Sequence, residues 1–143
     1  MEIPRLVRDL MTHEVVTLFE EDNLEGVEDG MKRFRFRHLP VVDDGKLVGL
    51  VTHRDLLAMS ASSLDPFGAE KTKRLQQGVF VRDVMRRDVL TVREETTLLE
   101  AGKLLWEKKL GCLPVTSDDG RLLGIITQAD FVKLALRFLE PLK

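Results

Sequence analysis

Two hydrophobic rhythms alternate along this chain, and the alternation occurs twice. Glu14-Val15-Val16-Thr17-Leu18 is a β-branched run suited to a short strand. Leu24, Val27, Met31 and Phe34 then fall at helical spacing, behind Asp22 or Asn23, either of which can cap a helix. Leu39-Pro40-Val41-Val42 and Lys46-Leu47-Val48-Gly49-Leu50-Val51 predict two strands joined by Asp43-Asp44-Gly45, because Asp-Gly between apolar runs is a strong hairpin signal. Thr52 opens a second helix carrying Leu56, Leu57 and Met59. The same order follows later: strand at 89–92, helix at 97–108, strand at 113–116, turn at 118–120, strand at 122–126, and a helix from Gln128. Each half predicts β-α-β-β-α. Gly26 and Gly30 weaken the first helix by about 1 kcal/mol each relative to alanine; a close backbone approach is one reason for a helix to carry them.

The two halves keep register. Val7-Arg8-Asp9-Leu10-Met11 returns as Val81-Arg82-Asp83-Val84-Met85, and Leu39-Pro40-Val41 as Leu113-Pro114-Val115, both 74 positions on. After an inserted Ser117 the offset becomes 75, for Asp43-Asp44-Gly45 through Gly49 and for Thr52-x-x-Asp55, which returns as Thr127-x-x-Asp130. A register held this far marks a duplicated unit. The expected fold is α/β of the α+β kind, with small sheets packed on helices and two repeats related by a pseudo-twofold axis. The repeats run over 1–60 and 79–143. A connector at 61–78, rich in Ser, Gly, Gln and charge and carrying Asp65-Pro66 as a turn signal, has room for a helical turn. A half of about 55–60 residues buries too little surface to be secure alone, so the halves should share a core or clasp each other. Phe131, Val132, Leu134, Ala135, Leu136, Phe138 and Leu139 leave the last helix little polar face. Such a helix needs more than one packing partner: its own sheet, and then the other half or a second copy of the chain.

Composition narrows the function. Hydrophobic residues at 43% and charged residues at 32% fit a soluble globular chain. A net charge of −2 argues against a nucleic-acid partner despite the basic run from Lys32 to His38. The lone Cys112 excludes an internal disulfide and a cysteine-rich metal site. His13, His38 and His53 lack metal-ligand spacing, and Ser60, Ser62 and Ser63 lack a nucleophile-elbow context. No metal site and no catalytic set is expected. Trp106, among charged neighbours, reads as core or interface packing. With no apolar signal core and no membrane-length apolar run, the expected compartment is the cytoplasm.

The chemistry concentrates in Gly49-Leu50-Val51-Thr52-His53-Arg54-Asp55 and Gly124-Ile125-Ile126-Thr127-Gln128-Ala129-Asp130. Each places Thr at a strand-to-helix junction and Asp one turn later on the same helix face. One reading is a capping box that satisfies orphan amides. The other is a ligand site: the helix start favours phosphate, a Thr hydroxyl can donate to it, and an Asp can accept from sugar hydroxyls. The two roles are compatible.

These residues resemble the CBS domain, the module named after cystathionine β-synthase. The resemblance rests on Asp9-Leu10-Met11, Leu39-Pro40-Val41-Val42-Asp43 and Gly49-x-x-Thr52-x-x-Asp55, with the second repeat matching, and spans nearly the whole chain. It implies a tandem pair forming a cleft with two pseudo-symmetric pockets for adenosine-containing ligands such as AMP, ADP, ATP or S-adenosylmethionine. By that resemblance Asp55 and Asp130 hold ribose, and Thr52 and Thr127 sit near phosphate. Arg37 and His38 would reach ligand in one pocket and Gly111 and Cys112 in the other, while Thr12 and Val16 would line the adenine pocket. Repeat one offers Arg37, His38, His53 and Arg54 where repeat two has Gly111, Cys112, Gln128 and Ala129, so the pocket receiving Arg37 and His38 is expected to prefer more phosphate. Ligands of this family lie at the boundary between halves, so Arg37 can serve either motif. The expected function is a non-catalytic regulatory sensor with no required cofactor, a homodimer acting on an unidentified protein. The alternative is a structural dimerisation module whose Thr-Asp pairs only cap helices.

Overall fold

The computed structural model describes residues 3–34, 36–58, 66–71 and 78–142, the side chains of Phe34 and Leu142 excepted. Arg35, Met59, Ser60, Ser62, Ser63 and Asp65 lie outside the described residues. Within the connector, residues 68–71 are helical.

The first half forms α1 (Glu25–Phe34), β1 (His38–Asp43), β2 (Lys46–Thr52) and α2 (His53–Leu57), followed by α3 (Val81–Val84). The second forms α4 (Leu98–Glu107), β3 (Cys112–Thr116), β4 (Leu122–Thr127) and α5 (Gln128–Leu139). Asn23 Oδ1 accepts from the Glu25 N–H at 2.8 Å at the start of α1, while Asp22 instead closes a turn on the Phe19 N–H at 2.7 Å. Leu24, Val27 and Met31 are buried as the spacing predicts. Among the described residues Gly26 and Gly30 serve no close approach: a methyl group at either would meet no atom beyond its own helix backbone within 4 Å.

β1 pairs antiparallel with β2, and β3 with β4. Asp44 and Gly45 have φ of 50° and 79°, the left-handed pair that a two-residue hairpin turn requires. Ser117 lengthens the second hairpin loop, where only Gly120 has positive φ, at 87°, and the Ser117 N–H donates to the Arg121 carbonyl at 2.9 Å.

The runs expected to form a leading strand in each half are reduced to one residue apiece. Leu18 bridges Val41 in parallel, and Val92 bridges Val115. The Leu18 N–H donates to the Pro40 carbonyl at 2.9 Å, and the Leu18 carbonyl accepts from Val42 at 3.0 Å. Val92 does the same with Pro114 and Thr116. Continuing either ladder backwards would need the N–H of Pro40 or Pro114, which proline lacks. The Leu-Pro-Val segments therefore stop the strands beside them.

The compact units cut the chain differently from the sequence repeats. One unit comprises residues 16–89, the other residues 3–15 with 90–142 among the described residues. Each repeat's Val-Arg-Asp segment is thus built into the unit that holds the remainder of the other. Val81 and Met85 join Leu24, Met31, Val41, Val51 and Leu56 in one core; Val7 and Met11 join Leu98, Leu105, Leu113, Val115 and Ile126 in the other. Full burial of each such side chain stabilises by about 1.5–3 kcal/mol.

Candidate functional site

Site geometry begins with two glycines. A Cβ on Gly124 would lie 2.6 Å from the Thr12 carbonyl oxygen, and one on Gly49 would lie 2.6 Å from Met85 Sδ and 3.0 Å from the Arg86 carbonyl oxygen. Their absence lets the segment after each buried Met reach the sheet edge. Thr12 and Ile125 exchange backbone hydrogen bonds at 2.8 and 3.0 Å, and Arg86 and Leu50 exchange two at 2.9 Å. Thr12 and Arg86 occupy equivalent places, each flanking the strand that leads into a Thr-x-x-Asp motif.

Both motifs form capping boxes. The Asp55 N–H donates to Thr52 Oγ1 at 3.3 Å, while Asp55 Oδ2 accepts from the Thr52 N–H at 3.1 Å and from Thr52 Oγ1 at 2.9 Å. In the other unit the matching distances are 3.4, 2.9 and 3.3 Å. In each box the carboxylate's Oδ2 does the capping.

The boxes differ at Oδ1. Arg86 donates to Asp55 Oδ1 from Nε at 3.1 Å and from Nη2 at 3.0 Å, and its Nε also reaches Oδ2 at 3.4 Å. Asp130 is buried at 8% exposure, and its Oδ1 receives no hydrogen bond among the described residues. Burial would raise the Asp55 pKa, but the hydrogen bonds from Arg86 and Thr52 outweigh it and hold the carboxyl below its ordinary value. Arg86 is raised by the same contact. Arg86 was not among the residues singled out by sequence, although the 74-residue offset places it opposite Thr12.

The other candidates gather unevenly. His38 pairs with Thr52 across the β1–β2 ladder, and Cys112 with Thr127 across β3–β4. Burial, then the Arg37 charge, lowers the His38 pKa; burial pushes the Cys112 thiol up to about 12, so it is an unreactive packing residue. The Arg37 carbonyl accepts from the His53 N–H at 2.8 Å, and the Gly111 carbonyl from the Gln128 N–H at 3.2 Å. These contacts consume the first amide of each helix, leaving less of the helix start for phosphate than the sequence suggests. The Arg37 and Arg54 side chains are exposed and make no hydrogen bond or ion pair among the described residues, and His53 is half-buried.

Thr12 belongs to the unit of Asp130. Val16 lies in the unit of Asp55, but lines an apolar cleft of ≈ 310 Å³ with Gly26, Gly30 and Phe36, a lining that includes neither Thr52 nor Asp55. Trp106, at 84% exposure, is not a core residue. Among the described residues no group of three or more His, Cys, Asp or Glu is placed to hold a metal, and no helix is long and apolar enough to cross a membrane.

Two small α/β units, each closing a Thr-Asp capping box beside a strand edge, define a tandem-repeat module. The CBS domain family model matches residues 7–62 and 81–137. The chain belongs to the CBS domain family. It is 32% identical over 90% of its length to an uncharacterised protein of Methanocaldococcus jannaschii, of which it spans 46%. The CBS-pair protein CBSX2 from Arabidopsis thaliana is similar in structure, with a TM-score of 0.83 at 32% identity, covering 96% of this chain and 98% of that one. A crystal structure of CBSX2 holds AMP. The CBS domain pair of protein MJ0100 in complex with 5-methylthioadenosine and S-adenosyl-L-methionine matches at a TM-score of 0.70 and 25% identity, covering 91% and 98% of the two chains.

Proposed function

We propose that this chain is a non-catalytic regulatory module that binds adenosine-containing ligands, with AMP, ADP, ATP and S-adenosylmethionine as candidates. The observation that carries the reading is the division of labour within the carboxylates. Capping engages Oδ2 of Asp130, while Oδ1 accepts no hydrogen bond from the described residues and remains able to accept from a ribose diol. No buried side-chain oxygen of the described residues lacks a hydrogen bond, so this unpaired Oδ1 is open to solvent and to a ligand. The AMP held by CBSX2 and the adenosyl ligands held by MJ0100 supply the ligand class.

Asp55→Ala and Asp130→Ala test this. Loss of a charged acceptor for sugar hydroxyls costs about 1.5–3 kcal/mol, roughly 10- to 150-fold in affinity. Calorimetry with AMP should show each variant losing affinity at one site, alongside a cap loss of about 1 kcal/mol in stability. Lower melting temperatures with unchanged AMP affinity would leave capping as the whole role.

The module is also proposed to act as a homodimer. Val132, Leu136 and Leu139 form an exposed stripe on α5, and Leu99 and Trp106 are exposed on α4, which packs on α5 where Phe131 meets Gly102.

A further inference from the structure

We propose that Arg86 is an internal competitor for the Asp55 carboxylate, so that the two Thr-x-x-Asp sites of this chain bind ribose unequally. The proposal rests on the adenosyl-binding function above. Its basis is a difference between equivalent positions. Gly49 admits the backbone of Arg86 to the edge of β2 as Gly124 admits Thr12 to the edge of β4. From that position Arg86 reaches Asp55 Oδ1 with two nitrogens at 3.0 and 3.1 Å. Thr12 is too short to span such a distance with a bidentate donor, and Asp130 Oδ1 accepts no hydrogen bond from the described residues.

At Asp55 both oxygens are therefore engaged: Oδ1 by the guanidinium alone, and Oδ2 by the cap with a longer contact of 3.4 Å from Arg86 Nε. A ribose diol must displace Arg86 before Oδ1 can accept from it; at Asp130 no side chain of the described residues has to leave Oδ1. The Arg86 side chain is 59% exposed against 15% for Asp55, so release places the cation in solvent while the carboxylate keeps its cap. The competition is modest, since solvent-exposed pairs are worth little. Arg86 then sets the order of filling: the Asp130 site first, the Asp55 site at higher ligand concentration.

The test uses adenosine, whose lack of charge separates ribose competition from any attraction of Arg86 for phosphate. Adenosine is titrated calorimetrically into the Asp130→Asn chain and the Asp130→Asn/Arg86→Thr chain, where only Asp55 reports, and into Asp55→Asn, where only Asp130 does. Arg86→Thr installs the residue found at the equivalent position and should tighten adenosine about two- to fivefold at the Asp55 site, as expected for removal of an exposed ion-pair partner. A second readout needs no substitution at Arg86. Raising salt screens the Arg86–Asp55 pair, so adenosine should bind Asp55 more tightly as ionic strength rises, with the Asp130 site unchanged. Unchanged or weaker adenosine affinity on Arg86→Thr, with no rise in salt, would overturn the competition while leaving the adenosyl function standing. Failure of the unsubstituted chain to bind either adenosine or AMP would remove both.

Discussion

Gly124→Ala should damage this protein more than Gly49→Ala, although the two positions match in the repeat. Neither glycine has positive φ, so alanine fits the backbone at both, and the difference lies in what the new methyl meets. At Gly124 it lies 2.6 Å from the Thr12 carbonyl oxygen and 3.2 Å from Met11 Sδ. A backbone oxygen cannot rotate away, so the Thr12 segment must retreat, stretching the bonds of 2.8 and 3.0 Å that tie it to Ile125. Overpacking of this kind costs about 1–3 kcal/mol, and a weakened backbone hydrogen bond adds about 0.5–1.5 kcal/mol. The stiffer unfolded chain offsets about 0.4–1 kcal/mol. The net loss is about 2 kcal/mol. At Gly49 the closest atoms are Met85 Sδ at 2.6 Å and Cγ at 2.9 Å, with the Arg86 carbonyl oxygen at 3.0 Å. A thioether can rotate aside, so the expected loss is about 1 kcal/mol. Urea unfolding with extrapolation to water resolves such a gap, provided the m-values agree. A Gly49→Ala chain that is equally or less stable than Gly124→Ala would refute the reasoning, because backbone contact would then be no harder to relieve than contact with a flexible side chain.

Two further outcomes are expected. Arg37→Ala should weaken ATP more than AMP, by a margin that shrinks as salt rises, because its free guanidinium adds about one screened charge-assisted contact to each extra phosphate it reaches; equal losses, or none, would return Arg37 to the solvated end of α1. The unsubstituted chain should sediment as a dimer at micromolar concentration and Trp106→Glu/Leu136→Glu as a monomer; a monomeric unsubstituted chain would remove the homodimer.

The secondary structure was legible where local chemistry decides it. Asp44-Gly45 specified its turn because Asp-Gly readily adopts the two left-handed φ values of a tight two-residue loop, and Thr52 and Thr127 specified helix starts through their own hydrogen bonds. The leading strands were misjudged because 14–18 and 89–92 look right taken alone. What shortens them is the missing N–H of Pro40 and Pro114, an effect felt only by the segment lying alongside. The signal was present in Leu-Pro-Val, but reading it required knowing which edge of β1 and β3 would be paired.

The site shows the same division between what a segment states and what its neighbours impose. Thr52, Asp55, Thr127 and Asp130 announce themselves because each pair completes a motif within four residues. Arg86 does not, since nothing near it in sequence suggests a carboxylate partner 31 positions away. Duplication makes it findable: the register that equates Met11 with Met85 also equates Thr12 with Arg86, and a position implicated in one copy carries a charge in the other. Comparison of the two copies reveals where they agree on a scaffold, and their disagreements mark where charge has been added to it. By that reasoning the substitution of Arg for Thr beside one of two matching carboxylates is the feature most able to make one duplicated site behave as two.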